Sequence, residues 1–337
     1  MPGGTLNNVW RVPGQPASVI AKYAPPHIAS APDVPLDPER LHVAARCLHL
    51  FAPDEALADL AASACRPPRR LGWDATAPLL VMEDVGPCPD LGTWLHTTIP
   101  HPPSAAEVGA RLGRFIAQLH TRTYGAAAIA EDVVNPAMQE TRHAVQYSQV
   151  HAFLEAAGID DAEALGRRAT ALGERFQEPG RCMIMGDLWP QSVLVDTASD
   201  ATAEVRLIDW ELGHFGHPAQ DLGHMAAHGW MLAHRAPSPA AEHAAHACLQ
   251  QFLAEYRATV QAERPEAVGA FCGPEVWRTA ALHMGCEILA RTTGAFQDGY
   301  LYDRLAPTHP AMQHAVHEAA RHLRTPDAVP TFAALAA

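Results

Sequence analysis

Lysine is almost missing from this chain of 337 residues: Lys22 is the single one among 24 lysines and arginines. A composition that replaces lysine with arginine nearly everywhere marks Lys22 as a place where a compact point charge matters. Basic residues as a whole fall short of acidic ones, with a formal net charge of −13. That balance excludes the concentrated basic face needed to hold a nucleic-acid backbone. The seven cysteines, Cys47, Cys65, Cys88, Cys182, Cys248, Cys272 and Cys286, include no CxxC pair. Their odd number and wide spread exclude a disulfide framework and a cysteine-built zinc site, leaving reduced, mostly buried thiols. No apolar run approaches the twenty or so residues of a membrane span, and the first residues lack the basic-then-apolar pattern of a secretory signal. The expectation is a cytoplasmic protein with neither a membrane nor a nucleic acid as partner. Oligomeric state is left open.

What is present is ordinary for a globular chain, 48% hydrophobic and 18% charged, and long enough for two lobes with their own cores. GGTLNNVWRV reads as a glycine turn running into a strand, and SVIAKYA as a second strand carrying Lys22. Residues 25–37 form a proline-rich loop, and Leu41, Ala45, Leu48 and Phe51 recur at helical spacing. LLVMEDV is a buried strand leaving into the connector GPCPDLG. Beyond it, Ser104 and Glu107 suggest a capping box ahead of an apolar helical face. Helices are expected at about 162–177, 218–234, 239–263, 274–296 and 310–324. A hairpin pattern, RCMIM, SVLVD and EVRLID, is embedded among them. The order predicts an α+β, bilobal fold: a small β-rich lobe over 1–85 and a larger, mainly helical lobe over 86–337.

The chemistry concentrates in GDLWPQS (186–192) and LIDWE (207–211), one after each of two short strands. Phosphoryl transfer asks a protein to position a hydroxyl and neutralise phosphate charge rather than to form covalent bonds. Asp187 can accept the hydroxyl's hydrogen bond, and Asp209 can hold a magnesium ion that bridges phosphates. A lone aspartate in a loop is usually a turn former. Two at this spacing, preceded by a strand lysine and a connector, are harder to assign to turns.

In these segments the chain resembles the aminoglycoside phosphotransferase and choline kinase superfamily, which has the protein-kinase-like fold, and within it the methylthioribose-kinase-like branch. The likeness rests on GGTLNNVWRV, SVIAKYAPPHIASAPDVPLDPER, LLVMEDV, Ser192, Asp209-Trp210-Glu211, PAQDLGHMAAH and GCEILARTTG, in that order. It implies ATP and Mg2+ as cofactors and a small-molecule hydroxyl as acceptor (a sugar, an amino alcohol or a secondary metabolite). Carried over by position, Gly3 and Gly4 would cover the phosphates and Lys22 would neutralise them. Backbone atoms near Glu83 and Val85 would hold the adenine, and Ser192 would join the cofactor site. Asp187 would be the catalytic base, Asp209 and Glu211 the metal ligands, and Asp221 a brace for the catalytic loop. Trp189, Trp210 and Arg291 are candidate acceptor contacts.

Several positions depart from that pattern. Met185 replaces a histidine before Gly-Asp, and Ala44 stands where the first helix usually offers a glutamate to the strand lysine. The first strand of the small lobe is missing or abbreviated. Ala290 precedes Arg291 where methylthioribose kinases pair two arginines, which argues against methylthioribose itself. The departures motivate a rival of another class, a pseudokinase acting as a nucleotide-binding or interaction module. A weaker rival is a metal hydrolase built on His214, His217, His224 and His228. Among twenty histidines such spacings arise by chance, and no HExxH accompanies them.

Overall fold

The computed structural model describes residues 6–197, 203–329 and 332–336. The first half of the chain builds β1 (Asn8–Val12), β2 (Val19–Tyr23), the short β3 (His27–Ile28) and β4 (Ala31–Pro35), and α1 (Glu39–His49). β5 (Cys65–Arg66), β6 (Arg70–Asp74) and β7 (Leu79–Glu83) follow. Four of these make one antiparallel sheet in the order β1-β2-β7-β6. In it Lys22 lies opposite Val9 on one side and Leu80 on the other. Leu41, Ala44, Ala45 and Leu48 form the buried face of α1, which packs against β6 and β7.

The rest is mainly helical. α2 (Leu91–Thr93), α3 (Pro102–Thr123), α4 (Ala127–Asp132), α5 (Pro136–Arg142), α6 (Val150–Ala156) and α7 (Ala162–Gln177) lead to β8 (Cys182–Ile184). Next come β9 (Val193–Asp196), β10 (Glu204–Leu207), β11 (His214–Gly216), α8 (Ala219–His234) and α9 (Pro239–Glu263). α10 (Val268–Cys272), α11 (Pro274–Thr292) and α12 (Pro310–Arg324) complete the helical half. The fold is α+β, as the element order implies. α3 and α9 approach so closely that a Cβ on Gly113 would sit 2.2 Å from the carbonyl oxygen of Phe252. Glycine is required there by space, since overpacking a helix contact displaces backbone.

Three local expectations need correction. Helix α3 starts at Pro102, because Pro102 and Pro103 are preset for a first turn, and Ser104 caps nothing. Glu107 instead accepts from Arg111 at 2.8 Å. Helix α11 stops at Thr292 rather than 296, where Phe296 N turns back to Ala290 O at 3.0 Å. The third concerns the hairpin: β9 pairs with β10, but β8 pairs with β11, a strand of three residues too short to leave a period. That second pairing joins the loop after β8 to the turn after β10. The seven cysteines are all unpaired. Among the described residues no helix is long and apolar enough to cross a membrane.

At the end of β7 the Glu83 side chain braces the sheet half. It accepts two bonds from Arg66, at 2.7 and 2.8 Å, and one from Arg69 N at 3.0 Å. The Arg66 hydrogen bonds are the main reason its carboxyl is held down at about 2, against an ordinary 4.5. A depressed carboxyl contributes stability above its unfolded pKa and loses it as pH falls through the folded one. Glu83→Gln is therefore expected to lower Tm at pH 7. It should also flatten the stability loss of the native protein between about pH 4.5 and 2. A series of thermal melts across that range checks both.

Candidate active site

Lys22 is buried, and its ammonium is held between two carboxylates. Nζ lies 2.7 Å from Asp209 Oδ1 and 2.5 Å from Glu211 Oε2. Burial alone would lower its pKa, and the charges of Asp209 and Glu211 raise it instead. Burial pushes the Glu211 carboxyl up, and Lys22 pulls it back. Asp209 itself adopts the left-handed conformation, φ +61°, opening the 3-10 turn Trp210–Leu212. An aspartate tolerates that region better than most residues, and the turn aims both acids at one cation.

No glutamate of α1 meets Lys22. Ala44 is buried at the usual place, and the exposed Glu39 pairs with His42 instead. Helix α1 contributes Arg40, which donates to Asn7 Oδ1 at 3.1 Å, while Asn7 Nδ2 donates to Glu211 Oε2 at 2.9 Å. Arg40 also donates to the backbone oxygens of Leu6, Pro25 and Asp37, so its buried guanidinium is well satisfied. Helix and lysine are thus linked through Asn7 and Glu211 rather than by a direct ion pair. Asn7 and Arg40 both fall within segments that carry the family resemblance, but nothing in the sequence pairs two residues 33 positions apart.

The loop after β8 lies against the same turn. A Cβ on Gly186 would meet Leu212 O at 2.2 Å, and Ser192 O accepts from Ile208 N at 2.9 Å. Asp221 braces this loop from the start of α8, accepting from Gly186 N at 2.8 Å and Met185 N at 2.9 Å. His120 Nε2 of α3 reaches Asp221 Oδ2 at 3.2 Å. Burial would raise the Asp221 carboxyl, but His120 and the two backbone donors hold it low. Met185 is itself fully buried, and the loop is braced here by His120.

Asp187 is the partly accessible member, its side chain 19% exposed. Arg142 of α5 reaches its Oδ1 at 3.3 Å, and His224 Nε2 of α8 lies 3.4 Å away. Burial works to raise its pKa, but His224, Arg142 and Arg291 together lower it. It is therefore a carboxylate at neutral pH. Beside it Arg291 lies 4.3 Å above the Trp189 ring and 5.5 Å from that of Tyr300, with Phe296 at 5.3 Å. Glu287 anchors Arg291 Nε at 2.7 Å and His228 Nε2 at 3.0 Å. Burial drives His228 down to about 3, so its ring is neutral.

Trp210 does not join Trp189 and Arg291. Its indole is 2% exposed, packs edge-on to Phe51 and donates to Leu207 O at 2.8 Å, which makes it a core residue. Gly3 and Gly4 lie outside the described residues. Glu83 and Val85 flank the connector, with the Glu83 side chain committed to Arg66 as above. Ser192 Oγ is buried and has no hydrogen-bond partner among the described residues. A groove of about 480 Å3, lined in part by Val133, Asn135, Gln139, Phe176 and His214, includes none of these residues in its lining.

Residues 1–268 match the model of the phosphotransferase enzyme family, well over half of the chain. The chain belongs to that family. Within it, the chain is 28% identical over 255 residues to a 4-hydroxytryptamine kinase of Psilocybe cyanescens, covering 68% of this chain and 66% of the relative. To the 4-hydroxytryptamine kinase of Psilocybe cubensis it is 24% identical over 244 residues, with the same shares covered. The matches thus span just under two thirds of these relatives' length. Among solved structures, the gentamicin–APH(2")-IIa complex is similar with a TM-score of 0.48 and 10% identity, over 96% of this chain and 89% of that one. A glucosamine kinase gives 0.47 and 16%, over 93% and 75%.

Proposed function

We propose that this phosphotransferase-family chain moves the γ-phosphoryl group of ATP, with Mg2+, to a hydroxyl of a small molecule. In this reading, residues 1–85 are the nucleotide-binding lobe and residues 86–337 the catalytic, acceptor-binding lobe. The observation that carries the reading is the convergence of Asp209 and Glu211 on one cation, at 2.7 and 2.5 Å from Lys22 Nζ. An ammonium held by two carboxylates is a stand-in for a metal ion held by the same oxygens. Ser192 Oγ, buried and unpartnered, suits the same group. Asp209 and Glu211 would hold Mg2+ there, and the ion would supply positive charge to neutralise the phosphates.

The chain's own residues do the rest. Lys22, released from the carboxylates, would carry its charge to the phosphates. Gly3, Gly4 and the backbone near Glu83 and Val85 would hold the nucleotide. Asp187 would accept the acceptor hydroxyl's hydrogen bond, orient its oxygen in line with the γ-phosphorus and take its proton. The Asp221 bonds to Met185 N and Gly186 N would keep that loop in place.

For the acceptor, an aromatic alcohol is the best-supported class. Trp189 stands two residues after Asp187, with Tyr300 at 5.8 Å and the half-exposed Phe296 close by. Flat rings and a guanidinium suit a flat, electron-rich ring. The relatives named 4-hydroxytryptamine kinases point the same way. Methylthioribose has less support, since the fully buried Ala290 stands beside Arg291 where methylthioribose kinases pair two arginines. The test is transfer of γ-labelled phosphate to a panel holding hydroxyindoles, simple phenols, amino sugars, choline and methylthioribose. Labelled hydroxyindole or phenol product is expected. Transfer only to sugars would overturn the acceptor class, and transfer to none, with tight nucleotide binding, would favour the pseudokinase.

A further inference from the structure

Arg291 carries hydrogen-bond donors that the protein itself leaves unfilled. A guanidinium has several N–H groups on three nitrogens, and here only Nε is engaged, by Glu287 Oε1 at 2.7 Å. Neither Nη1 nor Nη2 donates to any described residue, although the side chain is only 11% exposed. A cation so enclosed ordinarily spends its donors on protein acceptors. The buried arginines Arg40 and Arg142 do so, the first on backbone oxygens and the second on Gly186 O and Asp187 Oδ1.

The unfilled fork is also held in place. Glu287, which anchors Nε, is itself fixed by His228 Nε2 on Oε1 at 3.0 Å and by Gln146 Nε2 on Oε2 at 2.6 Å. The rings of Trp189, Phe296 and Tyr300, at 4.3, 5.3 and 5.5 Å, restrict the swing of the guanidinium. Two parallel N–H groups on a planar cation match the two oxygens of a carboxylate. Because the side chain is already ordered, little entropy is lost when such a group binds.

A positively charged substituent finds no equivalent partner here. Glu287 is 2% exposed, and both of its oxygens are taken. Asp187 is matched by Arg142 at 3.3 Å, and its free oxygen is the one the acceptor hydroxyl needs. Asp90, the other acid whose charge reaches Tyr300, caps α2 and accepts from Thr93 N at 3.0 Å and the Thr93 hydroxyl at 2.7 Å.

We infer that Arg291 selects the acceptor, binding a carboxylate on an aromatic alcohol whose hydroxyl lies at Asp187. This role rests on the kinase function proposed above and narrows the acceptor from aromatic alcohols to aromatic hydroxy acids. An oxyanion could also come from the phosphoryl group in transfer. That source serves every acceptor alike, whereas a carboxylate on the acceptor makes Arg291 discriminate among acceptors.

The test compares three hydroxyindoles that differ in one substituent, carboxymethyl, methyl or aminoethyl, by kcat/KM with ATP and Mg2+ in the full chain. The native protein should prefer the acid to the neutral compound about 30-fold and use the amine least. In Arg291→Met the acid-to-neutral ratio should fall to near one. That variant strands the buried Glu287, so Arg291→Met/Glu287→Gln, which removes the stranded charge, should show the same collapse of the ratio. Arg291→Lys keeps the charge without the fork and should keep the preference only in part. A native chain that uses the amine better than the acid would overturn the inference. So would an equal fall for all three acceptors in the variants, which would assign Arg291 to the phosphoryl group.

A second measurement does not depend on turnover. Calorimetric titration of the carboxymethyl and methyl hydroxyindoles without nucleotide should show the acid binding about 30-fold more tightly, with the gain lost in both methionine variants. No binding of the acid at millimolar concentration would overturn the inference. Binding that follows Arg291 without phosphate transfer to any acceptor would leave the carboxylate site standing and count against the kinase function alone. Transfer with no preference for the acid would do the reverse.

Discussion

Asp187→Asn is expected to lower kcat by a factor of about 10^2–10^4, with nucleotide binding and thermal stability nearly unchanged. The amide is the same size as the carboxylate but cannot take a proton from the acceptor hydroxyl. Its oxygen can still accept from Arg142, which reaches Asp187 Oδ1 at 3.3 Å. Stability should hold, because the side chain is partly accessible and the loop is braced independently by Asp221. Steady-state kinetics beside a melting curve checks this. A drop of less than about tenfold would remove Asp187 from the chemistry.

Lys22→Met should have the second large effect, on both stability and rate. It leaves Glu211 buried, with Asp209 alongside and no cation between them. Removing one partner of a buried pair costs roughly 3–5 kcal/mol, and part of that is relieved if the remaining acid protonates. Glu211 is placed to do so, since burial already pushes its carboxyl up. The double variant Lys22→Met/Glu211→Gln should therefore recover much of the lost stability and none of the phosphate transfer. Urea unfolding at fixed pH reads the first, and the labelled-phosphate assay reads the second. If the single variant is as stable as the native chain, the ammonium is not what holds the two carboxylates together.

How much of this was legible in the sequence depended on length and on separation. Long helices announced themselves: the one expected over 239–263 runs over Pro239–Glu263, and the Ser238 hydroxyl caps its first turn. The short helices α4, α5 and α6 and the three-residue strand β11 offered no window over which a period could build. The residue types for phosphate chemistry were visible as Lys22, Asp187, Asp209 and Glu211 because each sits in a recognisable local setting.

The support around them was not visible. Arg40 and Asn7 are 33 positions apart, and His120 and Asp221 are 101. Contacts over such distances leave no local pattern, so a buried histidine network looked like a chance excess of histidine. Trp210 misled for the converse reason. It stands between two functional acids, but the turn that aims those acids at Lys22 sends the intervening indole into the core against Phe51.

The central claim is that Asp209, Glu211 and Lys22 together receive a metal-bound triphosphate. Calorimetric titration of ATP, with and without Mg2+, into the native chain and into Asp209→Asn tests it most directly. The account predicts that Mg2+ tightens binding to the native chain at least about tenfold, which is about 1.4 kcal/mol, and that Asp209→Asn loses this gain. Absence of binding at millimolar ATP with Mg2+, or an equal gain in Asp209→Asn, would contradict it.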